Sequence, residues 1–170
     1  MWQVASGELE QPNTDNAYQL IHNTTPDLDN VVVEARVKIN SVTTNFLAPR
    51  SAGVIAGYHD PNDFYFCGLA ASTSAIVDVG QLADGFLGPT WSDSQGSFGS
   101  EVPGDWAIIR ARTSQPGGGQ TTIGCTIQRG AVTGGAQFVA NANAGGDIGL
   151  RTNSADASFD YVFVVAVPKP

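Results

Sequence analysis

The clearest pattern in the chain runs from residue 31 to 39. Val31, Val33, Ala35, Val37 and Ile39 alternate with Glu34, Arg36 and Lys38. An apolar–polar period of two over nine residues predicts a strand with one dry and one wet face. The turn-forming run Asp27-Leu28-Asp29-Asn30 leads into it. Further strands are predicted over residues 52–58, 64–71, 75–82, 107–113, 121–129, 136–141, 148–152 and 158–167. The breaks between them are rich in turn residues, as in Asp60-Pro61-Asn62-Asp63, Gly134-Gly135, Gly145-Gly146-Asp147 and Asn153-Ser154. In the last strand Phe159, Tyr161, Phe163, Val165 and Val167 fall on one face and Val162, Val164 and Ala166 on the other. A strand apolar on both faces is expected in the middle of a sheet, covered on each side. Val31, Val33, Val37, Ile39, Ile123, Ile127, Phe159 and Phe163 are the expected core. No segment carries a helical period. About ten strands predict an all-β chain, a two-sheet antiparallel β-sandwich of jelly-roll type, formed as a single domain over residues 1–170.

Composition supports this picture. Only 14% of the 170 residues are charged and 20 are glycine, which suits short strands joined by tight turns better than helical surfaces. The net charge of −8 and the scattered Lys and Arg argue against a nucleic-acid partner. No run of about 18 apolar residues exists to insert into a membrane. Met1-Trp2-Gln3-Val4 lacks the basic and apolar pattern of a signal peptide. The expectation is therefore a chain used without secretion, or one separated from a signal and neighbouring domains. Cys67 and Cys125 stand in separate predicted strands, and Cys125 shares a face with Ile123 and Ile127. Two buried free thiols are the expectation, with a single bridge as the alternative.

The order of several segments resembles the concanavalin A-like (laminin G-like) sandwich superfamily. These are Glu8-Leu9-Glu10-Gln11; Val32-Val33-Glu34-Ala35-Arg36-Val37; Ala52-Gly53-Val54-Ile55 followed by Asp63-Phe64-Tyr65-Phe66; and Trp106-Ala107-Ile108-Ile109-Arg110. Gly146-Asp147-Ile148-Gly149-Leu150-Arg151, then Ser158-Phe159-Asp160-Tyr161-Val162, resembles its closing hairpin. The superfamily includes lectins, glycosidases, adhesion modules and viral surface domains, so the fold alone does not select a function. Related sandwiches often carry a structural calcium ion. The resemblance makes Asp160 a candidate ligand, with Glu8 or Glu10 approaching it if the first and last strands pair. The alternative is that Asp160 accepts hydrogen bonds from a neighbouring turn.

Catalytic signals are weak. Retaining glycosidases of this fold need paired carboxylates about 5 Å apart, and Asp27, Asp29 and Glu34 lack that spacing. Glu8 and Glu10 share a face, but two glutamates in an edge strand are usually solvated. His22 and His59 have no nucleophile motif beside them. The expectation is a non-enzyme. Residues 83–105 form a connection too long for a turn, punctuated by Phe86, Trp91 and Phe98. Trp91 with Asp93 is the first candidate ligand-binding patch, and Tyr58, His59 and Asp60 form the second, because sugar rings stack on aromatics and need short polar partners. Two readings follow: a glycan-binding, lectin-like attachment module in the extracellular space, or a decoration or fibre component contacting neighbouring copies or proteins on a virion surface or other assembly.

Overall fold

A computed structural model describes residues 1–14, 18–23, 30–43, 50–70, 76–83, 86–87, 104–117, 119–140 and 145–166. The strands are β1 (Gln3–Ala5), β2 (Glu8–Gln11), β3 (Tyr18–Asn23), β4 (Val31–Val42), β5 (Ser51–Asp60), β6 (Asp63–Ala70) and β7 (Ile76–Ala83). They continue with β8 (Phe86–Leu87), β9 (Ala107–Gly117), β10 (Gln120–Arg129), β11 (Val132–Ala140), β12 (Asp147–Asn153) and β13 (Ala155–Ala166). Among the described residues there is no helix. One sheet has the order β1-β2-β13-β4-β9-β10-β11 and the other β3-β12-β5-β6-β7-β8, with antiparallel pairing throughout. The expected two-sheet antiparallel sandwich is the observed architecture, and all nine predicted strands are present.

The core lies between the sheets. Val31, Val33, Ala35, Val37 and Ile39 of β4 are buried against Val54, Val77 and Val79 of the second sheet and Ile109, Ile123 and Ile127 of the first. The odd positions of β4 point inward because strand side chains alternate, and the even positions form the outer face of the seven-stranded sheet.

Two expectations are corrected here. Cys67 and Cys125 are joined in a disulfide, with 5.3 Å between their Cα atoms. Each points inward, Cys67 from β6 and Cys125 from β10, so the bridge ties one sheet to the other through the core. Sequence parity turns both thiols inward but does not show that these two strands face each other. The second correction concerns β13. Its register against β4 slips between Phe159 and Tyr161, a bulge at Asp160 that inserts one extra residue and reverses the faces. Phe159 is buried, but Tyr161, Phe163 and Val165 turn outward, and Phe163 is 57% exposed. The strand is interior only as far as Phe159, because β2 covers Ala157–Phe159 and no further.

A second apolar cluster lies on the outer face of the six-stranded sheet, where Ile55, Phe64, Phe66 and Leu82 are buried. Arg151, Gly53, Gly68 and Asp78 occupy one register row across β12, β5, β6 and β7 on that face. Arg151 donates from Nη2 to Asp78 Oδ2 at 2.8 Å and to Ser51 Oγ at 2.6 Å, and its guanidinium lies 3.6 Å from the centre of the Phe66 ring. The side chain must therefore run over the two glycines. A Cβ at Gly53 would fall on the Cys67 carbonyl oxygen, so only glycine permits both the strand approach and the passage above it.

Candidate functional site

The even positions of β4 and their neighbours build one continuous outer face. Register aligns Glu34 with Arg110 and Thr126, Val32 with Arg112 and Gly124, and Arg36 with Ile108 and Gln128. Glu34 Oε2 accepts from Arg110 Nε at 2.8 Å and from Arg110 Nη2, while Tyr161 Oη donates to Glu34 Oε1 at 2.8 Å. Partial burial acts to raise the Glu34 carboxyl, but the hydrogen bond from Tyr161 and the Arg110 guanidinium outweigh it and hold the group below its ordinary 4.5. Next to it, Arg36 donates from Nη1 to Asp160 Oδ2 at 2.7 Å. Trp106, just before β9, lies beneath Arg36 and Lys38, each with its charge 4.8 Å from the ring centre.

Beyond Arg110 and Arg112 the face drops into a shallow trough of about 470 Å³ over β10 and β11. Gly124 and Gly135 supply no side chain there, and Thr126 and Gln137 supply polar ones. Arg112 is exposed beside it and has no ion pair among the described residues. Arg36, Lys38, Arg110 and Arg112 are half of the chain's eight basic residues. They look scattered along the sequence, yet strand pairing gathers them on this one surface of an acidic chain.

The residues singled out from sequence have the following places. Trp91 and Asp93 lie outside the described residues. Tyr58, His59 and Asp60 end β5 on the six-stranded sheet. The Tyr58 ring stacks on His22 at 4.0 Å and faces Phe64 at 6.5 Å, so its contacts are already internal. Burial, with Asp60 and Asp147 nearby, raises the Tyr58 phenol above its ordinary value. His22 Nδ1 lies 3.0 Å from Asp147 Oδ2. Gly146, at φ +122°, makes this possible, since a Cβ there would sit 2.5 Å from the Tyr58 carbonyl oxygen. The His59 ring is edge-on to Tyr65 at 6.3 Å, and Asp60 Oδ1 accepts from the Asn62 backbone N–H at 2.6 Å, closing the turn before β6.

The strand that carries Glu8 and Glu10, β2, does pair with the last strand, β13, but the carboxylates do not converge. Asp160 is engaged by Arg36, and Glu10 accepts from Gln3 Nε2 at 3.1 Å. Among the described residues no three of His, Cys, Asp and Glu, Glu8 included, gather so as to hold a metal ion. Calcium takes six to eight oxygens, and Asp160, Glu8 and Glu10 do not gather them among the described residues. Sequence reasoning missed Arg36, Lys38 and Arg112 as a group. Their signal was the polar parity of two strands that prove to be neighbours.

No family model matches the chain, and no curated protein matches it in sequence. Solved structures do match in shape. The carbohydrate-binding module CBM66 from Bacillus subtilis is 11% identical over 96% of this chain and 90% of that one, with a TM-score of 0.63. The VIP36 exoplasmic/lumenal domain, in its Ca²⁺/Man2-bound form, is 10% identical over 99% of this chain and 80% of that one, at 0.65. The GH43 protein BlXynB from Bacillus licheniformis is 13% identical over 98% of this chain but only 34% of its own, at 0.60. Likeness at such identities speaks for the fold alone, and together with the strand order it gives this chain a concanavalin A-like β-sandwich fold.

Proposed function

We propose that the chain is a non-catalytic, lectin-like module that binds glycans on the outer face of its seven-stranded sheet. The observation that carries this reading is a set of cationic hydrogen-bond donors beside an open trough, three of them held in place by Trp106, Asp160 or Glu34. Sugar hydroxyls are held by bidentate and charge-assisted hydrogen bonds, and a face whose guanidinium groups are oriented before binding loses less side-chain entropy on doing so. Arg36 and Lys38 are set by Trp106, Arg110 by Glu34, and Arg112 pairs in register with Gly124 of the trough. The carbohydrate-binding module and the mannose-bound lumenal domain among the similar folds support the same reading.

The two carboxylates of this face support binding without turnover. A glycosidic general acid needs a raised pKa. Glu34 is held low, and Asp160 is tied to Arg36. The buried disulfide supports maturation in an oxidising compartment and an extracellular place of action.

A screen of immobilised glycans followed by titration of the strongest binder tests the proposal. Trp106→Ala and Arg112→Ala should each weaken binding roughly tenfold or more while the thermal midpoint stays close to that of the parent. Absence of binding to every glycan up to millimolar concentration, or variants that bind like the parent, would overturn it.

A further inference from the structure

The charges of the chain are divided by strand. β4, β9, β10 and β11 carry five of its eight basic residues and one of its sixteen acidic ones, Glu34. The rest of the chain holds three basic residues and fifteen acidic ones. Of the five, Arg129 is buried, and the other four share the outer face. Register sets them in four successive outward rows: Lys38, then Arg36, then Arg110 opposite Glu34, then Arg112 opposite Val32. Outward rows recur every two residues, on the order of 7 Å, so the cations form a stripe on the order of 20 Å long. The inner two are answered within the chain, Arg36 by Asp160 and Arg110 by Glu34. Lys38 and Arg112, at the two ends, have no ion pair among the described residues, although acidic residues outnumber basic ones two to one. Glu10 is two strands from Lys38 in register, with Ser158 between them, and accepts from Gln3. Solvation accounts for any one exposed cation. It does not account for four strands nearly cleared of acids in an acidic chain.

We propose that the glycan bound on this face is a linear acidic polysaccharide, laid along the stripe from Lys38 to Arg112, with carboxylate or sulfate groups repeating along its length. This inference rests on the glycan-binding reading and names the class of glycan. A neutral sugar is held by hydrogen bonds to its hydroxyls, and it draws no benefit from the clearing of acidic residues. An anionic one benefits both from the cations and from the missing repulsion. A single terminal acid needs one cation. Four in consecutive rows, with the unanswered ones at the ends, match a ligand whose anions recur. Arg36 and Arg110 keep further N–H donors beyond those their carboxylates engage, because a guanidinium carries five. Beside Arg112 the trough at Gly124 leaves room for sugar rings. The acidic remainder of the surface repels such a ligand and confines it to the stripe. Nucleic acid is also a polyanion, but the buried disulfide favours an oxidising compartment, where nucleic acid is not the usual partner.

Calorimetric titration of the full chain tests this with two matched pairs of probes. One pair is oligogalacturonate and the same oligosaccharide with its carboxyls reduced to alcohols. The other is a sulfated glucan oligosaccharide and its unsulfated parent. At least one acidic form should bind roughly tenfold or more tighter than its neutral counterpart, and the pair that shows it tells carboxylate from sulfate. Added salt should shrink the advantage. Glutamine keeps hydrogen-bond donors but no charge, so in the Lys38→Gln/Arg112→Gln double variant the acidic-to-neutral ratio should fall toward one. Lys38→Arg/Arg112→Lys, which keeps both charges, should preserve it. If the parent binds acidic and neutral forms equally, this inference fails and the glycan reading stands. If it binds none of the four probes, both fail. An advantage that survives the charge-removing double variant overturns the inference, as does single-stranded DNA bound as tightly as the acidic oligosaccharide.

Discussion

Glu34 shows how one residue joins sequence pattern to surface chemistry. As an even position in β4 it must point away from the core, and its neighbours there make it a fixed anion rather than a free one. Its folded-state pKa is depressed, so its stabilising contribution is complete above the unfolded value near 4.5 and is lost as the pH falls through the lower folded value. Arg110 is half exposed and screened by solvent, which limits the pair to about 0.5–1 kcal/mol. Glu34→Gln should therefore lower stability by that amount at neutral pH, and the deficit should vanish in acid, as denaturant melts of both proteins across pH would record. The outward placement of Glu34 was legible from alternation alone. Its partners were not, because Arg110 and Tyr161 come from strands whose adjacency to β4 only the folded sheet reveals.

At the scale of strands, the Arg151 row has the largest single consequence. Burial raises the Asp78 carboxyl, opposed by Arg151 and Ser51, so the folded state favours the protonated form more than the unfolded chain does. That contribution is present below the ordinary 3.8 and is lost as the pH rises through the folded value. Removing the counter-ion leaves the largely buried carboxylate with Ser51 alone as its partner, and Arg151→Leu should cost about 3 kcal/mol at neutral pH. The cost should shrink as the pH is lowered and Asp78 takes up a proton. A constant deficit at every pH would show that lost packing on Phe66, and not the charge, is what matters. The strands carrying this row were readable from their apolar runs and glycines. The sharpest misreading fell in β13, where Asp160 is an extra residue in the register. Nothing in Phe-Asp-Tyr-Val-Phe marks a bulge, so the alternation carried past it assigns Phe163 to the wrong face.

For the whole molecule, the two sheets are held by apolar packing and by one covalent tie. The Cys67–Cys125 bridge closes a loop of 58 residues, which by chain entropy stabilises the fold by about 4 kcal/mol. A Cys67→Ala/Cys125→Ala double variant should lose stability on that order, and in the parent the bridge should resist reductant until denaturant is added, because both sulfurs are buried. Thiol accessibility measured with and without denaturant checks this. The fold as a whole was legible because antiparallel sandwiches write their alternation into each strand. The binding face was not, since it is assembled from β4, β9, β10 and β11 and depends on their order across the sheet. That face is the central claim, and the most direct measurement is backbone amide chemical-shift mapping of the protein titrated with its strongest-binding glycan. Perturbations should cluster at Arg36, Lys38, Trp106, Arg110, Arg112, Gly124 and Gly135, whereas perturbations centred on Tyr58, His59 and Asp60 would contradict it.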